Sequence, residues 1–267
     1  MFSEKSRSTS PSNASTSPIL ADSSGSNTPN NRSYKLFDPK KLGIAKQHRA
    51  MFAKVNQAVI QFMYGPAFDA SHDYEHIQRV VALAHKMYEA HKNDAWARDI
   101  DTTVLYIACM VHDIGDTKYH VRKKGDERDQ QAIVCDFLKA NSCNDLRIYA
   151  FAAKIAAHVS YSLELKDPNA IREAMVGCPA LRIVQDADRL DGLGAIGIGR
   201  CFVFGGINEE RRKNTIHTGI ELHFERFQKY LELMKTGVGK ELAEGRLGVM
   251  EGYRKNWFGE TDCNGVL

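Results

Sequence analysis

An apolar run that stops on an imidazole and a carboxylate constrains this chain more than any other feature. Val104 to Val111 reads VLYIACMV and is followed by His112, Asp113, Ile114 and Gly115. Eight apolar residues show no useful period, so the run alone suits a buried strand or a buried helix. Its flanks favour a helix. Asp101, Thr102 and Thr103 supply N-cap chemistry, and Gly115 stands where a helix of about three turns needs a residue at positive φ to stop. His112 and Asp113 then occupy a last turn, where side chains can converge even though adjacent helical residues point about 100° apart. Such an N/O donor pair suits a borderline or hard divalent metal. The same pair suits a core histidine and a turn carboxylate, so partners elsewhere in the chain decide.

Upstream, Phe52, Val55, Val59, Phe62 and Met63 recur at helical spacing and the pattern ends at Gly65-Pro66. The next segment, DASHDYEHIQRVVALAHKMYEAHK, can be capped by Ser71 or Asp73 and places His76, Val80, Leu83 and Met87 on one face. His76 thus sits on the buried stripe at its N-terminal end. His72 lies four residues before it, and Arg79 projects from nearly the same side. Downstream of His112, the polar loop carries Lys118, His120, Arg122, Lys123, Lys124 and Arg128, which beside a metal could clamp phosphate. Two further helices follow, over QQAIVCDFLKA and over LRIYAFAAKIAAHVSYS. In the second, Ile148, Phe151, Ile155 and His158 share a stripe, so His158 is expected to face inward.

LRIVQDADRLDG places Asp186, Asp188 and Asp191 in an otherwise apolar helix, which is costly unless they are capped, paired or bound to metal. Leu181, Val184, Asp188 and Asp191 fall on one face, whereas Asp186 lies about 160° from Asp188. Asp188 is therefore the expected buried candidate, and Asp186 a supporting residue or an arginine's partner. The glycines of GLGAIGIGRCFVFGG fit no phosphate-loop or dinucleotide pattern and suggest close backbone packing. Two amphipathic segments close the chain, one with Ile220, Phe224, Phe227, Leu231 and Met234, the other with Leu242, Leu247, Met250 and Tyr253. His217 and His223 there have no accompanying donors. No strand pattern emerges, so the expected fold class is all-α.

Composition sets the frame around these helices. Residues 1–33 are rich in Ser, Thr, Asn and Pro, too poor in apolar surface to offset the entropy of ordering, and are expected to be a disordered tail. They leave residues 34–267 as one domain. A formal charge of +3 without a basic, aromatic-studded stripe argues against a large nucleic acid as partner. Six cysteines without a C-x-x-C pair suit a reducing, cytoplasmic setting, with the nucleus also open. No apolar stretch reaches the ~18 residues of a membrane span.

The ordered motifs HDYEHIQRV, VHDIGDTK, SYS, DADRLDGLGAIGIGR and HFERFQKYLELMKT resemble those of the HD-domain metal-dependent phosphohydrolases, in the branch of small bacterial and fungal HD hydrolases, across roughly residues 45 to 258 with a core near 72–192. The resemblance implies a helical HD bundle with extra C-terminal helices. In it His76, His112, Asp113 and Asp188 would hold a divalent metal, most often manganese, with magnesium, cobalt or nickel as alternatives. It also implies Asp116 near an attacking water and Lys118 and Arg79 on phosphate oxygens, with Arg189 and His158 as further candidates for substrate. His158 departs from the small or apolar residue of relatives and could serve as a second metal ligand or a phosphate donor. The substrate implied is a nucleotide, first a (deoxy)nucleoside triphosphate cleaved at an anhydride. 5′-Nucleotidase or cyclic-nucleotide phosphodiesterase activity, or nucleotide sensing without turnover, are the alternatives, and a homodimer is left open.

Overall fold

The computed structural model describes residues 35–65, 68–116, 126–207, 216, 217, 220 and 226–267. Residues 1–33 and the basic loop residues Lys118, His120, Arg122, Lys123 and Lys124 lie outside the described residues, as do His223 and Phe224. Among the described residues there are eleven α-helices and no strand, in agreement with the all-α expectation.

The centre is α3 (Thr102–Val111), in which every residue from Thr103 to Val111 is buried. It starts where the sequence places it. The Asp101 carboxylate accepts from the backbone N–H groups of Thr103 and Val104, satisfying donors that a helix start otherwise leaves unpaired. It stops as expected too: Gly115 adopts φ +74°, and a Cβ there would press within 3.0 Å of Ile133. Around α3 pack α1 (Arg49–Met63), α2 (Tyr74–His91), α5 (Leu146–Ala156) and α8 (Ala180–Asp191), with α4 (Gln130–Ala140) against α5. Aspartates cap this set repeatedly: Asp73 on α2, Asp129 on α4, Asp145 on α5 and Asp167 on α7 (Pro168–Gly177).

A second layer forms from α9 (Gly194–Ile207), α10 (Gln228–Glu232) and α11 (Gly237–Glu260), which pack on one another and on the outer side of α8. Between the layers, α6 (Tyr161–Lys166) follows α5 after a short turn. That turn corrects one expectation. The α5 helix ends at Ala156, so His158 lies beyond it and only half-buried, and Phe151 faces outward rather than into the core. No described helix is long and apolar enough to cross a membrane.

Candidate metal centre

Three helices deliver the donors. His76 opens α2, His112 and Asp113 follow α3, and Asp188 comes from the last turns of α8. His76 Nε2 and His112 Nε2 lie 3.2 Å apart. Asp188 Oδ1 stands 3.6 Å from His76 Nε2 and 3.4 Å from His112 Nε2. The ligand atoms of these three residues all fall within 4.8 Å of one another. Asp113 flanks them, its Oδ2 3.4 Å from His76 Nε2 and its Oδ1 3.5 Å from His112 Nε2. A metal with ligands at ~2.1 Å has neighbouring ligand atoms roughly 3.0–3.4 Å apart in octahedral or tetrahedral geometry. The observed edges, 3.2 to 3.6 Å, lie at or slightly above that range.

The tautomers strengthen the case. His112 Nδ1 is 2.9 Å from the Cys109 carbonyl, which can only accept, so its proton sits on Nδ1 and its Nε2 lone pair faces the site. His76 Nδ1 is likewise committed, 2.7 Å from Asp191 Oδ2. Two lone pairs thus face each other across a gap that a shared cation would bridge. Asp113 Oδ2 is buried and has no hydrogen-bond partner among the described residues, a costly condition for a carboxylate oxygen unless a cation completes it. Burial alone would lower the His112 imidazole, but the Asp113 and Asp188 carboxylates outweigh it and raise it to about 9, so a proton on Nε2 competes at neutral pH for the position a cation would take.

Behind the donors, Asp191 is wholly buried and gathers three partners: His76 Nδ1, Arg79 through Nε at 2.7 Å and Nη2 at 3.0 Å, and Arg200 Nη1 at 3.0 Å. Burial would raise its carboxyl, yet the hydrogen bonds from His76 and Arg79 and the Arg200 charge hold it well below the usual range. A carboxylate in this position fixes the imidazole's tautomer and ring orientation. Arg200 also donates through Nε to the Ser71 carbonyl at 2.6 Å, tying α9 to the loop before α2. In that loop His72 brings its ring centroid to 5.9 Å from that of His76, and burial pushes its imidazole down to about 3.

Several sequence assignments shift. Arg79 is held bidentately by Asp191, so it orients the carboxylate behind His76. Arg189, assigned to substrate, is buried; it pairs with Glu164 and donates to the Leu233 carbonyl at 2.8 Å. His158 donates from Nδ1 back to the Lys154 carbonyl of α5 at 2.7 Å, a bond that removes that nitrogen from ligation. Asp186 is fully buried and accepts from the N–H groups of Lys235 and Thr236 and from the Thr236 hydroxyl, so it anchors the start of α11 instead of pairing with an arginine. The Asp188 side chain is 30 % exposed, so the burial order of the two aspartates is the reverse of that expected. Lys118 lies outside the described residues.

The exposed edge of Asp188 opens on a cavity of about 30 Å³, whose wall includes His112, Asp113, Asp116, Gln130, Tyr161 and Arg226. Asp116 is thus brought to the donors by the turn its own N–H makes with the Asp113 carbonyl. Gln130 braces this turn, donating to the carbonyls of His112 and Ile114. Asp191 was placed on the inward face from the sequence but given no role, and Gln130, Tyr161 and Arg226 were not singled out. Tyr161 lies within the SYS motif and Arg226 within HFERF, so motif order was the available signal.

Residues 73–193 match the HD domain family. These residues form an HD domain. Such domains bind divalent metals, and the His76, His112 and Asp188 group is able to hold one. Among relatives, YpgQ of Bacillus subtilis is 27 % identical over 183 residues, 68 % of this chain and 80 % of YpgQ. The structure of YpgQ in complex with ADP superposes at TM-score 0.56, covering 78 % of this chain and 98 % of YpgQ at 24 % identity. An HD-superfamily hydrolase from Bacillus thuringiensis gives TM-score 0.52 at 23 % identity over 81 % of this chain and 98 % of its own. A Lactobacillus plantarum protein gives 0.57 at 22 % identity over 79 % and 96 %. The HD fold therefore accounts for α2 through α8, and the layer of α9 to α11 is packed upon it.

Proposed function

We propose that this protein is a divalent-metal-dependent phosphohydrolase acting on a nucleotide, and that its preferred reaction is cleavage of a (deoxy)nucleoside triphosphate to a monophosphate and pyrophosphate. The observation that carries the proposal is the meeting of two imidazole Nε2 atoms with the buried Asp113 Oδ2 and the part-exposed Asp188 carboxylate beside a cavity. His76, His112 and Asp188, with Asp113 as a fourth donor, would hold the ion, and manganese suits this mixed N/O set. That YpgQ was solved with ADP supports a nucleotide.

A divalent ion held there supplies Lewis acidity, lowering the pKa of water and neutralising charge on a phosphoryl oxygen. The chain supplies the rest. Asp191 keeps His76 in the tautomer that offers Nε2, and the Cys109 carbonyl does the same for His112. Asp116, on the cavity wall with His112 and Asp113, would accept a proton from the attacking water. Metal-loaded protein should convert dATP to dAMP and pyrophosphate, with dAMP and cyclic AMP as the controls. Phosphate from dAMP would shift the reading to a nucleotidase, ring opening of cyclic AMP to a phosphodiesterase. Tight nucleotide binding with no product from any of the three would replace the enzyme by a sensor.

A further inference from the structure

Arg79, Arg200 and Arg246 lie behind the centre and Arg189 on the far side of α8, and all four are spent on partners within the protein, Arg246 on the Leu190 carbonyl. Arg79 and Arg200 both pair with Asp191, and Arg189 pairs with Glu164. Arg226 differs. It has no carboxylate within ion-pair distance among the described residues; its guanidinium lies 5.0 Å from the ring centroid of Tyr161 and 5.8 Å from that of Tyr230, and its Nε donates to the Tyr230 hydroxyl at 2.8 Å. Those contacts use Nε and the flat faces of the cation. The two Nη groups, the forked edge suited to two oxygens of one anion, are the part that remains.

Arg226 also shares the cavity wall with Asp113, Asp116 and Asp188. A phosphate entering there meets three carboxylates, whose charge a single divalent ion does not offset. A second fixed cation is required on the open side, and aromatic faces are a way to hold one without neutralising it, since a carboxylate partner would compete with the incoming anion. Pre-setting the guanidinium plane also reduces the ordering cost when the anion binds.

We propose that Arg226 binds a phosphate group of the substrate beside the metal centre, with Tyr161 and Tyr230 as positioning residues that set its plane. The proposal rests on the phosphohydrolase reading, and the test separates the two. Wild-type, Arg226→Met, Arg226→Lys and Tyr161→Leu proteins are loaded with manganese, their metal content is measured, and binding of ADP, inorganic pyrophosphate and adenosine is followed by calorimetry beside kcat and KM on dATP. Arg226→Met should keep its metal, lose about 10- to 100-fold in affinity for ADP and pyrophosphate, and leave any adenosine binding unaltered. Arg226→Lys should recover part of the loss, and Tyr161→Leu should lose less than Arg226→Met. Equal ADP affinity in Arg226→Met and wild type overturns the proposal, whether or not the variant melts earlier, and so does a wild-type protein that binds neither ADP nor pyrophosphate. Should affinity depend on Arg226 while wild type releases no product from dATP, the phosphate site stands and the hydrolase reading falls.

Discussion

The two charged sides of α8 solve the same electrostatic problem in opposite ways. Toward α2 and α3 it presents Asp188 and Asp191; toward α10 and α11 it presents Asp186 and Arg189. The outer side is closed at its carboxylates, with Arg189 Nε left without a hydrogen-bond partner among the described residues. Asp186 takes three donors from Lys235 and Thr236, and Glu164 takes Arg189 and Lys235 together. A Cβ on Gly239 would overlap the Asp186 carboxylate, so even the backbone is fitted to it. On the inner side polar valence is left over: two Nε2 lone pairs and Asp113 Oδ2 meet with no protein group to complete them. Buried charge alone therefore does not mark a ligand site. Several donor atoms left incomplete around one point do.

The largest effect should come from the incomplete side. Asp188→Asn removes an anionic donor at constant size; metal content should fall sharply and kcat/KM by about 10³ or more, the equivalent of several kcal/mol of charge stabilisation. The metal-stripped variant should melt within a few degrees of metal-stripped wild type. Wild-type metal stoichiometry in Asp188→Asn would erase the distinction between the sides. Next is the closed side, where Arg189→Met leaves the Glu164 carboxylate with Lys235 alone and should cost about 2–3 kcal/mol, a fall in Tm of about 5 °C or more, with metal retained. An unchanged Tm with a raised KM would return Arg189 to the substrate. Asp191→Asn belongs between the two, because it loosens His76 without removing a donor. Metal affinity should weaken about 10- to 100-fold, and saturating manganese should restore most of the rate.

What was legible in the sequence follows the same divide. Local rules place α3, its Asp101 cap and the Gly115 stop, because each depends on residues a few positions apart. Helical period separates Asp188 from Asp186 and directs Asp188 to the histidines, again a local argument. It fails on burial. Asp186 is sealed by Lys235 and Thr236, about fifty residues downstream, and no period reports which distant turn will cover a helix's back. The arginines fail for the same reason: Arg79 is claimed by Asp191 from 112 positions away and Arg189 by Glu164 and Leu233. Which carboxylate captures a cation is a tertiary fact, and a motif that contains both does not state it.

The smallest effect concerns pH and the closed side alone. Burial would raise the Glu164 carboxyl above its ordinary value of 4.5, but the Arg189 and Lys235 cations outweigh burial and lower it. An acid whose folded value lies below its unfolded one stabilises the fold fully above the unfolded value, and that contribution is lost as pH falls through the folded value. Asp186 runs the other way: burial prevails over the hydrogen bonds from Lys235 and Thr236 and raises its carboxyl above 3.8, so its contribution is present in acid and lost as pH rises through the folded value. The two therefore partly cancel as the protein is acidified below 4.5. Glu164→Gln removes one of them. Its Tm at neutral pH should be lower than wild type, but the further drop on acidification from pH 5 to pH 3 should be smaller, since the variant has no ionised Glu164 left to lose. Parallel Tm curves for Glu164→Gln and wild type over that interval would show that the Arg189 and Lys235 cations do not hold the Glu164 carboxyl down.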